Sequence, residues 1–529
     1  MSISSLIGKS KSFTDYTGVI RWFILVAVML GNILQTLDYS MVNVAIPNMM
    51  GNLGATIDEI NWVSTGYMMA NVIVLPLTGW LSAVFGRKRY LTYSILLFII
   101  ASVCSGMSHS LNELIFFRII QGAGGAALIS TAQATLVEVF PLDQLGVAQG
   151  FYGFGVAMSP TLGPILGGWI TDTYSWRWIF FVNVPIGILA AVMVWVFIQD
   201  SAYQTKGFGR VDFTGIALLA IGLGCMQTML EKGERDDWFQ SDFIVTLTVI
   251  SAISLLIFIY WELHAESPAV NLRILKNRNF AAGTIFTVVY GFGMYGGTFI
   301  IPLFLQNIRQ YTAEQTGAIF ILGGLTAMVG MPLVGRLINH IPTRFLIFIG
   351  TWGFIIYLDM LHFLTNETSS EHFFWLVGFR GISMGFIFIP LTFITLTGLK
   401  GKDLANGSGL YNLMRQVGGS IGIAWLSTMV DNRISYHRSH LVNYANSYNP
   451  AFRLRMNRLI GLFESKGASY LMARMQALSM VDRSIQTQAS IMAFGDTLLF
   501  VARIFFFSLP LLLLFRNGVP RRMTKASIE

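Results

Sequence analysis

The chain carries the stretch PLTGWLSAVFGRKRYL from Pro76 and a second copy of its pattern, PLVGRLINHIPTRFL, from Pro332. The two copies begin 256 residues apart. A second pair agrees, because Ile46–Pro47 recurs as Ile301–Pro302 with an offset of 255 residues. Internal repeats of this kind are typical of transporters built from duplicated bundles of membrane helices. The repeat therefore predicts two related halves.

The composition supports a membrane protein over a soluble one. Of the 529 residues, 54% are apolar and 12% are charged, whereas soluble domains contain about 25% charged residues. This composition argues against a water-soluble enzyme. The net charge of +8 is spread thinly between apolar runs, which argues against nucleic-acid binding. The sequence has no GxxxxGK[ST] loop for ATP and no metal-ligand spacing of its histidines, so we expect no cofactor and no metal.

Fourteen apolar runs reach the length of about 20 residues that a membrane span requires. Each repeat copy lies eight runs after its partner. Because eight is an even number, the two halves run parallel to each other. A protein of two six-helix bundles alone would have six runs between copies, so two additional helices separate the halves. The pattern predicts an all-α polytopic protein with two six-helix bundles and two extra central helices. The runs begin near Ile20, Trp62, Tyr90, Glu113, Val147, Trp178, Phe213, Phe243, Phe280, Thr316, Phe345, Phe373, Leu404 and Ile491.

Basic residues gather on one side of the predicted spans. With the N-terminus in the cytoplasm, the opposite short loops carry only Arg177, Lys232, Arg235 and Arg309. The positive-inside rule then predicts that both termini are cytoplasmic. The residues on the predicted cytoplasmic side are Arg87, Lys88, Arg89, Lys206, Arg210, Arg273, Lys276, Arg278, Arg336, Arg344, Lys400, Lys402, Arg516, Arg521, Arg522 and Lys525.

The predicted division of the chain follows from these runs. A cytoplasmic segment at 1–19 precedes the first bundle at 20–199, and the extra helices with their linkers occupy 200–279. The second bundle at 280–515 contains a periplasmic loop at 431–490, and a cytoplasmic tail follows at 516–529. Two apolar helical faces recur in that loop: Phe452, Met456, Leu459, Ile460 and Phe463, and then Leu471, Met475 and Leu478. An amphipathic hairpin on the bilayer and a docking site for another protein both fit this pattern.

Several motifs in order resemble the major facilitator superfamily, in particular its fourteen-helix drug:proton antiporter branch of the EmrB/QacA type. The resemblance covers nearly the whole chain. Its motifs are LDYSMVNVAIP at 37–47, GWLSAVFGRKR at 79–89, RIIQGAGGA from Arg118, GVAMSPTLGPILGG at 155–168, WRWIFFVNVPIG at 176–187 and RQVGGSIG from Arg415.

The resemblance implies a transporter, not an enzyme, that exports hydrophobic drugs or toxic amphiphiles across the bacterial inner membrane in exchange for protons. It also implies a periplasmic adaptor and an outer-membrane channel as partners. A proton-coupled transporter of one endogenous metabolite, siderophore or fatty acid remains an alternative, as does a transport-inactive membrane sensor, because fold alone does not fix the substrate.

Two groups of residues match the motifs of this branch. The gate motif comprises Gly79, Gly86, Arg87 and Arg89, but Ala83 stands where the family has an acid, so the family's charge relay is incomplete here. The glycine-rich antiporter helix could seal the halves against proton leak or could reflect ordinary small-residue packing. Its residues are Gly155, Pro160, Gly163, Pro164, Gly167 and Gly168.

Asp38 is the most informative residue, because an ionised carboxylate inside an apolar helix is costly and usually serves a transport path. Arg118 lies at a similar depth in the fourth run, and in this fold the first and fourth helices are neighbours. The two residues could couple transport to protons or form a fixed structural ion pair. The repeat aligns Asp38 with Gly293, so the second half has no equivalent acid.

Other polar residues inside the spans offer further candidates. We expect Asp359 and Arg503 to form a structural pair, with a second proton site as the alternative. Arg380 and Arg415 have no evident acidic partner, so backbone carbonyls or an anionic substrate group could satisfy them. Candidates for a substrate cavity, or for core packing, are Gln35, Tyr67, Gln121, Tyr152, Tyr290, Tyr295, Tyr411, Asn412 and Gln416.

Overall fold

The computed structural model describes residues 18–200, 212–363, 365 and 368–516. Within these ranges the side chains of Ile57, Pro160, Thr161, Ala313 and Glu314 are not described. Some predicted positions therefore lie outside the described residues: the segment before Gly18, the loop residues Lys206 and Arg210, the tail residues Arg521, Arg522 and Lys525, and the side chain of Pro160.

The described chain is helical throughout and contains no β-strand. Short 3₁₀ turns at Leu75–Leu77 and Leu509–Leu514 follow α3 and α18. The helices are α1 (Gly18–Leu53), α2 (Ile57–Ile60), α3 (Trp62–Val74), α4 (Thr78–Phe85), α5 (Arg87–Met107), α6 (Leu111–Val139), α7 (Leu142–Thr173), α8 (Trp178–Phe181), α9 (Asn183–Phe197), α10 (Phe213–Lys232), α11 (Asp242–His264), α12 (Arg278–Asn307), α13 (Ala313–Leu337), α14 (Thr343–His362), α15 (Ser370–Leu396), α16 (Lys402–Val442), α17 (Pro450–Ser465) and α18 (Tyr470–Ser508).

Twelve stretches of the described chain are long and apolar enough to cross a membrane. The short helices combine within them, because one stretch runs from Asp58 to Phe85 and another from Trp178 to Phe197. Two further long helices, α7 with 32 residues and α16 with 41, are not among the twelve. Both nevertheless pack along helices that are, α7 against α1 and α13, and α16 against α12 and α18.

The turns between helices gather at two ends of the assembly. We call them the Gly86 end and the Asp58 end, after residues in the first two turns. At the Gly86 end, the Arg278 guanidinium donates to the carbonyl of Leu514 over 2.7 Å. At the Asp58 end, Asp58 pairs with Arg235 over 2.6 Å. Each of these contacts joins segments that are far apart in the sequence.

The two halves of the chain meet along two helix pairs. Helix α7 packs against α13, and α16 packs against α4 and α6. Hydrogen bonds cross the second seam, because Asn412 donates from Nδ2 to Oε1 of Gln133 over 2.7 Å. Ser408 likewise donates to the carbonyl of Ser130 over 2.7 Å. Polar groups in the interior therefore join the halves directly.

The helix pair α10–α11 lies beside the seam between the halves. Helix α10 contacts α3 of the first half and α16 of the second half. The turn after α10 does the same at the Asp58 end, because Arg235 pairs with Asp58 while Trp238 donates from Nε1 to Oγ1 of Thr428 over 2.9 Å. The additional helices therefore bridge the two halves.

Residues 431–490, which we call the stalk, are mainly helical. They comprise the last part of α16, all of α17 and the first part of α18. Met456 packs with Ala477 and Val481, and the predicted apolar face of α17 surrounds this contact. The second predicted face, Leu471, Met475 and Leu478, lies in α18 but does not pack against α17, because these side chains are 66%, 60% and 45% exposed. Small side chains of α18 form the packed face instead, since they let α17 approach closely.

Candidate functional site

Asp38 lies in the interior of the first half and is fully buried. It belongs to the long helix α1, 20 residues after Gly18. Its carboxylate accepts hydrogen bonds from Arg118 over 2.5 Å, from Gln121 over 3.0 Å and from Asn183 over 2.6 Å. A buried carboxylate requires such donors, because it has lost its contact with water. The three donors therefore satisfy both oxygens of the buried carboxylate.

Arg118 is as deeply buried as its partner. Its guanidinium also donates to Oε1 of Gln121 over 2.8 Å and, from Nε, to the carbonyl of Val63 over 3.3 Å. The Tyr67 ring lies 4.2 Å from its central carbon, a distance that permits a cation–π contact. Because guanidinium remains charged in proteins, Arg118 supplies a permanent positive charge beside Asp38.

Asn183 is the member of this network that the sequence analysis did not single out. It begins α9 and lies in the quoted motif WRWIFFVNVPIG. Its Nδ2 donates to Asp38 and also to Oγ of Ser102 over 3.0 Å. Asn183 could have been found in the sequence as a lone asparagine within an apolar run. A buried amide in a membrane span needs a polar partner, so such a residue indicates a polar contact in the interior. Gln121, a predicted cavity residue, belongs to the same network.

The equivalent position in the second half holds no acid. A methyl group at Gly293 would contact the rings of Phe505 and Phe354, so aromatic side chains fill the space that a carboxylate would need. Chemically, the Asp38 site can hold one negative charge against one positive charge.

The gate motif lies at the Gly86 end, where the two halves touch. A methyl group at Gly79 would collide with Asn406 of α16. Gly86 adopts φ +84°, a conformation that favours glycine, and this sharp turn separates α4 from α5. Arg87 forms an ion pair with Glu138 of α6, and Arg89 is exposed. Glu138 therefore gives Arg87 an acidic partner although Ala83 replaces the family's acid.

The glycines of the antiporter helix α7 divide between two neighbours. Methyl groups at Gly155, Gly163 and Gly167 would contact Met29, Ser40 and Met41 of α1, in the same half. The predicted contact between the halves instead involves Gly146, Gly150 and Gly153, which lie nearer the start of α7. The Gly146 backbone touches Gly335, and a methyl group at Gly150 would lie 2.6 Å from Pro332. Pro164 is half-buried, and Gly168 has the most space of the motif glycines.

The predicted cavity residues do not line one open cavity in this conformation. All except Tyr295, which is half-buried, are buried: Gln35, Tyr67, Gln121, Tyr152, Tyr290, Tyr411, Asn412 and Gln416. Several of them bind other protein groups. The Gln416 amide, for example, lies 3.3 Å from the sulfur of Met68 in the other half. Gln416 and Asn412 thus contact the other half across the seam, whereas Tyr152, Gln121 and Tyr411 form hydrogen bonds within their own halves.

A cavity of about 80 Å³ does lie between α7, α12, α13 and α15. We call it the Met cavity, because methionines form much of its wall. Arg380 is its charged wall residue, and the Arg380 guanidinium donates to Oγ1 of Thr298. The lining residues are Ala157, Tyr290, Met294, Thr298, Phe320, Gly323, Gly324, Ala327, Met331, Val377, Arg380, Gly381 and Met384.

The predicted structural pair of Asp359 and Arg503 is wrong. Helices α14 and α18 do pack together, but both side chains are exposed, and within the described chain neither forms an ion pair. His362 lies beside Gly495, and Phe354 contacts Phe505. By this register Arg503 lies about one turn nearer the Gly86 end than Asp359. The two charges lie at similar positions along their predicted spans, but they do not contact each other in the structure.

Among the described residues, no three His, Cys, Asp or Glu side chains lie together as a metal site would require. Comparison with known proteins gives a consistent family signal, because the model of the Major Facilitator Superfamily matches residues 28–423. The chain is 35% identical over 469 residues to the multidrug export protein EmrB of Haemophilus influenzae, covering 87% of this chain and 91% of that protein.

The same identity, 35% over 484 residues, is found with the multidrug export protein EmrB of Escherichia coli K12, covering 91% of this chain and 92% of that protein. Among solved structures, the proton:xylose symporter XylE superposes with a TM-score of 0.56 over 93% of this chain and 96% of its own. Its sequence identity is 12%, so that likeness concerns the fold alone.

Proposed function

Because the chain belongs to the Major Facilitator Superfamily, we propose that it is a proton-driven antiporter that exports hydrophobic drugs or toxic amphiphiles by alternating access. The relatives described as multidrug export proteins support drug efflux as its role. The observation that carries the proton coupling is the buried ion pair of Asp38 and Arg118. A charged pair in a membrane interior is costly and marks a functional site by default.

The proposed coupling step is a proton exchange on the Asp38 carboxylate. A proton that binds Oδ2 neutralises the acid, so the carboxyl group no longer attracts the Arg118 guanidinium as an ion. The bundle can then rearrange around the released cation, and the proton leaves when Asp38 faces the other side of the membrane. Gln121 and Asn183 hold the ionised carboxylate in the state described here.

The topology we propose has fourteen spans. Helices α7 and α16 would add to the twelve apolar stretches, because they pack along the same neighbours over similar lengths. The Gly86 end carries most of the basic loop residues, so we assign it to the cytoplasm and the Asp58 end to the periplasm. The close contacts of Gly79 with Asn406 and of Gly146 with Gly335 lie near the cytoplasmic end. They support closure of the cytoplasmic end in this structure.

The stalk is the proposed docking site for a periplasmic adaptor, which would lead to an outer-membrane channel. It extends α16 and α18 beyond the spans, and this continuity favours a projecting structure over a hairpin on the bilayer. Leu471 and Met475 expose apolar surface on it. Replacing both residues with Asp should abolish co-purification with the adaptor and leave proton-driven transport in vesicles intact. Unchanged co-purification would contradict docking at this face.

The experiment that tests the proposed function is drug transport in reconstituted vesicles with an imposed pH gradient. Asp38→Asn should still bind drug, because its amide resembles the protonated acid, but should lose uphill transport. Asp359→Asn is the matched control, because it removes an exposed acid from another span. Uphill transport by Asp38→Asn at the wild-type rate would show that Asp38 does not carry the proton. No drug transport by the wild-type protein would contradict the function itself.

A further inference from the structure

A polar cavity lies at the Gly86 end, apart from the Asp38 site and the Met cavity. Its volume is about 380 Å³, within the range of about 300–1,000 Å³ that is usual for small-molecule pockets. Two segments form its wall, the linker between α11 and α12 and the turn between α15 and α16. We call it the linker cavity. It therefore lies where the additional helices meet the second half.

Two cations line the linker cavity, Arg273 from the linker and Lys400 from the turn. The Arg273 guanidinium donates from Nη2 to the carbonyls of Leu263 and Ala265 over 3.1 and 3.2 Å, so the end of α11 holds it in place. Lys400 is exposed, and within the described chain neither cation forms an ion pair. Both positive charges are therefore available to a ligand.

Neutral groups of the wall add to this positive character. The Oδ1 atom of Asn277 accepts hydrogen bonds from the backbone N–H groups of Asn279 and Phe280. Its Nδ2 atom, which is a donor, therefore lies on the other side, near Gly398 of the opposite wall. Gly401 precedes α16 without a side-chain cap, and the N-terminus of a helix carries a partial positive charge.

Asp403 is the one acid among the described residues of the wall. Its Oδ1 accepts a hydrogen bond from Nδ2 of Asn271 over 3.3 Å, which joins the linker to the first turn of α16. Two cations against one acid leave the cavity with a net positive charge. The wall thus suits an anion.

The linker cavity lies at the depth where a bilayer has its phosphate groups. Asn277 directly precedes the apolar stretch that begins at Arg278, and Gly398 follows closely after the stretch that ends at Leu396. Lipid head groups lie just outside the hydrocarbon core, and basic pockets between membrane helices bind such groups. A guanidinium suits phosphate in particular, because its planar donors match two phosphate oxygens.

We propose that Arg273, Asn277 and Lys400 bind a phosphate group, which belongs to an anionic phospholipid or to a soluble phosphate ester. The site is separate from the proposed drug transport. A phosphate between Arg273 and Lys400 would connect the additional helices with α16. Asn406, about one turn further along α16, contacts Gly79 of the gate motif. Binding would therefore stabilise the seam between the halves at the Gly86 end.

The first test compares two lipids that share their acyl chains and differ in the phosphate. Wild-type protein is freed of lipid in detergent and titrated with dioctanoyl phosphatidylglycerol or with dioctanoylglycerol, which has no phosphate. Native mass spectrometry counts the bound molecules. Phosphatidylglycerol should bind about tenfold more tightly, as expected for charged hydrogen bonds. Equal affinities of the two lipids would overturn the proposal.

A second arm distinguishes a lipid from a soluble ester. Glycerol phosphate, which has the same phosphate without acyl chains, is added to the complex with phosphatidylglycerol. Displacement of the lipid supports a site for phosphate esters in general, and retention of the lipid supports a site for a phospholipid. The absence of binding by either compound would overturn the proposal. Drug efflux in vesicles is measured separately, and its failure would contradict the proposed function without affecting the phosphate site.

The last test changes the charges of the wall. Arg273→Gln and Lys400→Gln should each weaken the binding of phosphatidylglycerol about tenfold, whereas Asp403→Asn should strengthen it, because it removes the acid. Arg344→Gln is the matched control, because Arg344 is an exposed cation at the start of α14, outside the cavity. If Arg273→Gln does not fold, Lys400→Gln still decides, because the Lys400 side chain is exposed. Unchanged binding in Lys400→Gln, or an equal loss in Arg344→Gln, would overturn the proposal.

Discussion

Asn183 donates a hydrogen bond of 2.6 Å from Nδ2 to Oδ1 of Asp38, so α9 gives the acid a neutral donor besides Arg118. Replacing Asn183 with Leu removes this donor and keeps the number and branching of the side-chain heavy atoms. The ionised carboxylate then loses one of its three donors, which favours the protonated acid. We expect the pH midpoint of proton-driven transport to move upward, as measured in vesicles across a pH series.

Asn71→Leu is the matched control for that change. Asn71 is a buried asparagine of the same half, and it donates to the carbonyl of Gly122 over 3.1 Å without contacting Asp38. It should reduce stability without moving the pH midpoint. The same midpoint for Asn183→Leu and wild type would mean that Asn183 is only a structural contact.

Breaking the ion pair of Arg87 and Glu138 should lower the stability of the folded protein more than removing the charge of Asp359 or of Arg503. Glu138→Gln leaves Arg87, which is 4% exposed, without its charged partner. Breaking a buried pair costs about 3 kcal/mol, so the melting temperature in detergent should fall clearly. Asp359→Asn and Arg503→Gln should change stability by less than about 0.5 kcal/mol, as is usual for exposed sites.

The double variant Arg87→Gln with Glu138→Gln serves as the control for that pair. It leaves no unpaired charge, so it should recover part of the loss seen in Glu138→Gln. A large fall in melting temperature for Asp359→Asn alone would indicate that this acid has a partner in another conformation.

The helical architecture was predictable because its signals are local. The apolar runs fix where spans begin, and the copies at Pro76 and Pro332 relate the halves. The partnership of Asp38 and Arg118 was predictable for a related reason. Both charges are too costly to leave unpaired in an apolar helix, so matched depth on neighbouring helices was informative.

Depth alone does not report the face of a helix. The predicted pair of Asp359 and Arg503 was wrong for this reason. Both side chains are exposed, and Arg503 lies about one turn nearer the Gly86 end than Asp359. Asn183 was missed because a single amide gives no direction until its helix is packed. The predicted cavity tyrosines and amides could not be assigned to one cavity, because the sequence does not encode which conformation of the halves is present.

The contact between Gly146 and Gly335 should set how tightly the Gly86 end closes. Gly146→Ala adds a methyl group that collides with the Gly335 carbonyl, and overpacking costs about 1–3 kcal/mol. The end should therefore open more often. We expect faster labelling of a cysteine introduced at Asn406, which packs against Gly79 at that end. The assay is thiol labelling of purified protein with a charged maleimide.

Gly168→Ala is the control for this change, because the nearest neighbour of its added methyl group is Val44 at 4.0 Å. It adds the same atoms to the same helix without a collision. Slower or unchanged labelling in Gly146→Ala, with wild-type labelling in Gly168→Ala, would show that the end does not close through these glycines.

The turn after α10 contains an acid whose protonation should control the contact between the halves at the Asp58 end. Burial, together with a hydrogen bond to the Asp431 carboxyl, raises the pKa of Glu234 from its ordinary 4.5 to about 7, while a hydrogen bond with Ser427 opposes the shift. Two carboxyl groups can share a hydrogen bond only while one of them holds a proton. The carboxyl pair of Glu234 and Asp431 thus holds one proton while the turn contacts α16 through this bond.

A raised pKa in the folded state means that the contact is stabilised by the proton below about pH 4.5 and loses that contribution as pH rises through about 7. Above that pH two neighbouring carboxylates repel each other, and the turn should separate from α16.

Spin labels at Gln240→Cys and Asn432→Cys, both at exposed positions, report this separation by pulsed electron spin resonance. The distance distribution should be narrow at about pH 5 and broad or longer at about pH 8.5. Glu234→Gln carries a permanent neutral donor, so its distribution should stay narrow at both pH values. A wild-type distribution that does not change with pH, or a full pH response that persists in Glu234→Gln, would exclude Glu234 as the group that titrates at this contact.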